Sequence, residues 1–227
     1  MKIKLKKNLD TIIFEKLKEE IIASRWRPGQ QISTEEIAEQ YGVSRTPVIQ
    51  AVKMMAMEGI ITVRSNGRIE IPVFTRDQVI DLCKIRVLLE DYAIKTICEQ
   101  KSDIEIHKLN DIAKDCAQQI RSFNNVIETR KLDLKLHRHI VESSGSEYLL
   151  GSYIRVQSQF MTANHIHLNH SDAMQSMASN EHFEILEHLN RYDYKRASKA
   201  LEHHIMTGCL RVVNRIEESS YSPTVNT

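Results

Sequence analysis

The chain is poor in residues that break helices. Seven glycines and four prolines are spread over 227 positions, which argues for long helices with few tight turns. Cysteine is equally sparse. Cys83, Cys98, Cys116 and Cys209 stand isolated, with no C-x-x-C spacing, so they read as reduced thiols and not as a disulfide framework. No apolar run approaches the length of a membrane span. The opening "MKIKLKKNLD" is basic, but neither an apolar core nor a small-residue cleavage site follows it, so it does not read as a secretory signal. Together these absences point to a cytoplasmic chain with no membrane partner. Net charge is also nearly absent, at +1. Hydrophobic content of 41% and charged content of 27% are ordinary for a globular protein, and the length suits one large or two modest domains.

What charge excess there is lies unevenly. Residues 1–73 hold 12 lysines and arginines against 9 acidic residues, whereas residues 74–227 hold 19 against 21. A basic N-terminal part on a mildly acidic remainder fits a nucleic-acid-binding head on a body with another task, although chance also produces a difference this small.

Within the first part, "VSRTPVIQAV" (43–52) reads as the mouth of a short helix. Ser44 suits the N-cap, and Pro47 falls in the first turn, where backbone N–H groups have no intrahelical partner. Val48, Ala51, Val52 and Met55 recur at helical spacing and form one apolar face. Arg45, Thr46, Ile49, Gln50 and Lys53 are left on the other side. Such a face suits a DNA groove, and equally a capped surface helix; the neighbouring segments decide. Before it, "LDTIIFEKLKEEIIASRW" places Ile12, Ile13, Leu17, Ile21 and Ile22 on one face. "RPGQQIS" reads as a turn, and Ser33 or Thr34 caps "TEEIAEQYG". After it, "IITVRSNGRIEIPVF" is two β-rich runs around Asn66-Gly67, a two-residue hairpin signal. Two helices joined by a tight turn and followed by a hairpin make a winged helix-turn-helix. Its expected DNA-binding residues are Ser44, Arg45, Thr46, Ile49, Gln50 and Lys53 on the recognition helix, with Arg64 and Arg68 beside the hairpin tip. Lys4, Lys6 and Lys7 are expected to add backbone contacts from a flexible arm. Arg45 would read a guanine edge or grip a phosphate, Gln50 would bond adenine, and Ile49 would meet a thymine methyl.

Beyond Pro72 the pattern becomes long amphipathic helices, about six: 76–100, 103–122, 124–143, 146–169, 172–191 and 193–218. The expected fold is therefore mainly α, a winged helix-turn-helix with a small β-hairpin wing plus an antiparallel helical bundle. The expected division is 1–73 for the DNA-binding domain, 74–218 for the bundle and 219–227 for a flexible tail.

"STEEIAEQYGVSRTPVIQAVKMMAMEGII" and the hairpin after it resemble the GntR family of bacterial transcription regulators. "RVLLEDYA", "DLKLHRHIVESSGSEYLL", "NEHFEILEHL" and "ALEHHI" resemble the FCD ligand-binding domain of its FadR-like subgroup. Six helices in place of seven look closer to the VanR-like branch. The resemblance covers nearly the whole chain. It implies a homodimeric regulator, such as a repressor, that binds double-stranded, near-palindromic operator DNA and responds to a small metabolite held by the helical domain. One departure stands out: many family members have "VREA" on the recognition helix, and this chain has "VIQA".

Asp133 and His137 lie four residues apart and leave one helix on the same face. A carboxylate and imidazoles from facing helices can converge inside a bundle, where such folds build metal sites. Spacing alone does not choose among ten histidines. The resemblance does: positions 133, 137, 182 and 204 match the FCD metal pattern one by one, in "DLKLH", "EHFEI" and "HHI". Ile205 after His204 fits that pattern, which favours His204 over His203. Asp133, His137, His182 and His204 suit Zn²⁺, Ni²⁺ or Mn²⁺. Arg86 is the candidate effector-binding residue, since a guanidinium holds a carboxylate bidentately and the family often has arginine there; an intrahelical pair with Glu90 is the competing reading. Tyr92, Tyr148 and Met161 read as core or cavity lining. The expected effector is a small organic acid. Two rival functions are a sensor of the metal ion itself and a metal-dependent hydrolase with an added DNA-like domain. The hydrolase needs a general base beside the metal water, and Glu181 is the only candidate, so the chain is not expected to be an enzyme.

Overall fold

The computed structural model describes residues 8–122, 126–165 and 179–221. Among these, nine helices and three short strands follow the order α1 (Leu9–Ile22), β1 (Gln31–Ile32), α2 (Thr34–Tyr41), α3 (Arg45–Met57), β2 (Thr62–Val63), β3 (Ile69–Glu70), α4 (Arg76–Gln100), α5 (Asp103–Ser122), α6 (Val126–Glu142), α7 (Glu147–His165), α8 (Ser179–Leu189) and α9 (Tyr194–Tyr221). The fold is mainly α, with a small antiparallel sheet after the helix-turn-helix.

The head forms for local reasons. Ser33 and Glu36 make a capping box: the Ser33 hydroxyl accepts from the Glu36 N–H at 3.2 Å, and the Glu36 carboxylate accepts from the Ser33 N–H at 2.6 Å. Gly42 ends α2 at φ +63°, a conformation that costs other residues more. On α3, Val48, Ala51, Val52 and Met55 are all buried. Ser44 occupies the N-cap position in extended backbone, but its side chain makes no capping bond.

Three sequence expectations change. "RPGQQIS" is not all turn, because Gln31 and Ile32 pair with Glu70 and Ile69, so the sheet has three strands in the order β1-β3-β2. The hairpin loop has three residues, not two. Arg64 N–H donates to the Arg68 carbonyl, Gly67 N–H donates to the Arg64 carbonyl, and Gly67 lies at φ +80°; this is a turn closed by a left-handed glycine. On α1, Phe14 is buried while Ile12 is 38% exposed, and the helix ends at Ile22, short of "ASRW".

In the bundle, α9 packs along α4 and α8, α5 along α6 and α8, and α4 along α6 and α7. The helix start placed at 172 and the breaks at "FNN" and "NHSD" lie outside the described residues. The last helix continues to Tyr221, so the proposed tail from 219 begins inside it. Head and bundle share one apolar core and are clasped by polar contacts. From α6, the buried Arg130 donates to the Ile22 carbonyl and, at 3.1 Å, to the Ser24 hydroxyl, while Lys131 pairs with Glu19 at 2.5 Å. From α7, Arg155 donates to the Met57 carbonyl at 2.9 Å and Ser158 to Glu58 at 2.6 Å. These contacts meet the C-terminal ends of α1 and α3, where carbonyls lack intrahelical donors.

Candidate metal centre and nucleic-acid interface

Helices α6, α8 and α9 bring Asp133, His137, His182 and His204 together, so that one ligand atom of each lies within 4.8 Å of the others. His137 and His182 are each 2% exposed, and the Asp133 side chain is 32% exposed at the mouth of the cluster. Two of the imidazoles are oriented from behind. His137 Nδ1 donates to Glu90 at 2.6 Å, and His204 Nδ1 donates to Glu181 at 2.7 Å. With the proton fixed on Nδ1, each ring turns the lone pair of Nε2 inward. Those two Nε2 atoms stand 3.0 Å apart. His182 Nε2 lies 3.2 Å from Asp133 Oδ1, yet neither of its ring nitrogens has a hydrogen bond, although both are buried. Facing lone pairs and an orphaned buried imidazole are unfavourable in an empty pocket. A divalent cation would satisfy both. One carboxylate and three imidazoles are the donor set for such an ion.

Charge around the cluster is strongly organised. Burial acts to raise the Asp133 carboxyl, but the close approach of His182 Nε2 and of the other two imidazoles outweighs it and holds the carboxyl well below the usual carboxylate range. Burial pushes His204 down to about 4, against the Glu181 hydrogen bond, which keeps the ring neutral as a ligand must be. Glu90, fully buried, is brought down to about 2: burial opposes this, and His137 and Arg86 prevail. It accepts from His137, from Arg86 at 3.0 and 3.1 Å, and from the Tyr153 hydroxyl at 2.8 Å.

Arg86 therefore makes the intrahelical pair with Glu90, and it also lines a cavity. Its guanidinium lies 4.6 Å from the Phe160 ring centre. The cavity has a volume of about 50 Å³ and opens to solvent, and its wall includes Arg86, Asp133, His137, His204, Arg211 and Arg215. Three arginines thus stand beside the four-residue cluster, Arg86 paired with Glu90 and Arg211 3.5 Å from Glu181. Sequence reading passed over Arg211 and Arg215. The signal was their spacing, since 204, 208, 211 and 215 share one face of α9. It also missed what Glu90 and Glu181 do, although both were noticed as neighbours of other residues. Tyr92 and Tyr148 are not core: they are 57% and 92% exposed, whereas Met161 is buried.

On the head, Ser44, Arg45, Thr46, Gln50 and Lys53 are exposed and Ile49 is half-buried. The arginines are not bare. Arg45 pairs with Glu35 at 2.6 Å, Arg64 is bidentate on Glu70 at 2.5 and 2.6 Å, and Arg68 lies 3.9 Å from Glu36. Lys4, Lys6 and Lys7 lie outside the described residues. With Lys2 they carry all of the positive excess: residues 8–73 hold 8 basic against 9 acidic side chains.

Comparison with known proteins divides the chain in two. Residues 10–71 match the model of bacterial regulatory proteins of the gntR family, and residues 81–207 match that of the FCD domain. The Nta operon transcriptional regulator of Aminobacter aminovorans is 32% identical over 131 residues, 57% of this chain and 60% of that protein. The gluconate operon transcriptional repressor of Bacillus licheniformis is 25% identical over 134 residues, 59% of this chain and 54% of the relative. The matched region thus spans about three fifths of the length of these relatives. Among solved structures, Escherichia coli McbR/YncC superposes with a TM-score of 0.77 at 17% identity, covering 92% of this chain and 99% of that one. A GntR regulator from Rhodococcus sp. RHA1 gives 0.76 at 16% identity, covering 90% and 97%. At these identities the likeness is one of fold.

Proposed function

The chain belongs to the GntR family of bacterial regulatory proteins, in the group whose second domain is of the FCD type, and from that premise we propose that it is a DNA-binding transcription regulator, a repressor, acting in the cytoplasm. Residues 1–73 bind operator DNA. Residues 74–218 hold a divalent metal ion on Asp133, His137, His182 and His204 and take up a small organic acid. The ion is Zn²⁺, Ni²⁺ or Mn²⁺. The observation that carries this reading is the convergence of one ligand atom from each of four side chains to within 4.8 Å of one another, with the buried His182 ring making no hydrogen bond.

The ion would supply positive charge and open coordination positions for the ligand's carboxylate. Around it the chain's own residues do the rest. Glu90 and Glu181 hold the imidazoles in one tautomer, and Arg86, Arg211 and Arg215 give the anion its counter-charge. The arginines favour an anion sensor over a sensor of the metal alone, since a bare cation site needs no guanidinium wall. The hydrolase reading has less support: Glu181, its candidate base, is committed to His204 and lies 3.5 Å from Arg211.

A regulator of this design works as a C₂ dimer, whose two recognition helices meet one DNA face about 34 Å apart. Ile85, Leu88 and Tyr92 project from α4 at helical spacing and are 42%, 71% and 57% exposed. We assign this stripe to the partner copy. The functional test is thermal unfolding of metal-loaded protein across a panel of organic acids and metals. A ligand that binds the folded state raises its stability by RT ln(1 + [L]/Kd). A stabilising acid whose effect disappears in Arg86→Ala supports the anion sensor; stabilisation by metals alone supports the metal sensor.

A further inference from the structure

The charge pattern of the DNA-binding face gives a role to a residue that no recognition-helix motif includes. Glu35 sits in the first turn of α2, and Arg45 in the first turn of α3, the two helices of the helix-turn-helix. The capping box made by the residues on either side, Ser33 and Glu36, fixes the backbone of that first turn. Both oxygens of the Glu35 carboxylate are engaged: Oε2 accepts from the Thr34 hydroxyl at 3.1 Å, and Oε1 forms an ion pair with Arg45 Nη2 at 2.6 Å. Both partners of this pair are more than half exposed, so it contributes little to the stability of the fold. What it does is point one edge of the Arg45 guanidinium. A guanidinium has five N–H donors in a rigid fork; with Nη2 drawn to Glu35, the edge turned away from that carboxylate stays available to a base.

We propose that Glu35 is a positioning residue for DNA readout. It holds Arg45 edge-on to a guanine and, through its own charge, weakens binding to every sequence where that contact is not made. Specificity is a difference between affinities, and a fixed carboxylate near phosphates lowers the wrong affinities more than the right one. The same logic extends over the face. Arg64 and Arg68 each have an acidic neighbour, and the folded head carries no positive excess, as counted above. Attraction to phosphate is the sequence-independent part of binding. A head built in this way forgoes much of it and depends on base contacts. Ile49, half-buried and unable to hydrogen-bond, leaves Arg45 as the arginine that reads from this helix, so its aim decides the outcome.

The proposal rests on the reading that Arg45 meets a base, and the experiment separates the two. Sites are selected from random DNA with the full-length wild-type protein. Affinities for the selected site, its single-base variants and random DNA are then measured by competition for Glu35→Ala, Glu35→Gln, Arg45→Ala and the double Ala variant. Thermal melts check that each variant is folded. Glu35→Ala should bind random DNA several-fold more tightly and lose about tenfold of its preference at the base read by Arg45. Glu35→Gln can still accept from the guanidinium, so it should keep more of that preference while also binding random DNA more tightly. In the Arg45→Ala background, removal of Glu35 should leave base preference unchanged. Equal tightening on all sequences would reduce Glu35 to a repulsive charge and overturn the proposal, as would no change at all. If Arg45→Ala itself alters no base preference, the reading of Arg45 fails, and the positioning role fails with it.

Discussion

At the scale of single residues, the proposed metal site includes the groups behind the imidazoles as well as the imidazoles themselves. Glu90 and Glu181 each accept a hydrogen bond from an Nδ1–H and so aim an Nε2 lone pair at the centre. Removing such a partner typically costs 10–100-fold in metal affinity. Glu181→Gln is therefore expected to weaken metal binding by about that factor, measured by calorimetric titration, whereas Glu105→Gln, whose partner His139 is no ligand, should leave it unchanged. Equal effects from the two would remove Glu181 from the site. The sequence made part of this legible. Asp133 and His137 declare themselves by their i,i+4 spacing, but which of ten histidines joins them depends on how three helices pack, and only a family resemblance pointed to His182 and His204. Glu90 was visible as a helical neighbour of Arg86. That it also faces His137, 47 positions away, follows from no local pattern. Tyr92 and Tyr148 were misplaced because an aromatic at helical spacing marks a face without saying what covers it.

At the scale of elements, local chemistry placed the helix starts and apolar faces of the head, although Ser44 makes no capping bond and the wing loop is one residue longer than Asn66-Gly67 suggests. The capping box that starts α2 and the apolar face of α3 are both written in short sequence spans and both form. β1 was missed because two residues become a strand only when β3 arrives from 38 residues further along. The wing arginines inherit a distinction from this sheet. Arg64 is bound bidentately to Glu70, itself held by Gln31 of β1 at 3.0 Å, while Arg68 has only a distant carboxylate. Arg68→Ala should weaken binding to all DNA sequences and flatten the salt dependence by about one phosphate contact. Arg64→Ala should do so less, because much of its charge is already spent. Binding measured from 50 to 200 mM salt checks this, and a larger effect at Arg64 would contradict it. The stripe on α4 gives a second prediction. Leu88→Glu should convert a dimer to a monomer in sedimentation at micromolar concentration, whereas Ile104→Glu, equally exposed at 70% on α5, should not. A Leu88→Glu protein that remained dimeric would move the interface elsewhere.

At the scale of the whole molecule, head and bundle share one apolar core, and specific polar contacts cross between them. Helix α6 carries Asp133 and His137 on one stretch and Arg130 just before them, and the buried Arg130 guanidinium caps the end of α1 in the head. Burial, helped by the charge of Arg215 on the cavity wall, brings Arg130 down to about 10. We propose that charge taken up in the cavity is passed to the head along α6, which carries both the cluster residues and Arg130. Arg130→Met should keep metal affinity within about twofold while losing most of the change in operator affinity that metal and ligand produce, a coupling of about 1–3 kcal/mol in typical regulators. All of this presupposes that the four converging side chains hold an ion, and the most direct measurement is calorimetric titration of chelator-stripped protein with Zn²⁺ or Ni²⁺. The account predicts one site per chain, abolished or greatly weakened in His182→Ala and His204→Ala and retained in His188→Ala and His203→Ala. A wild-type protein that takes up no ion, or four variants that bind it alike, would contradict the account.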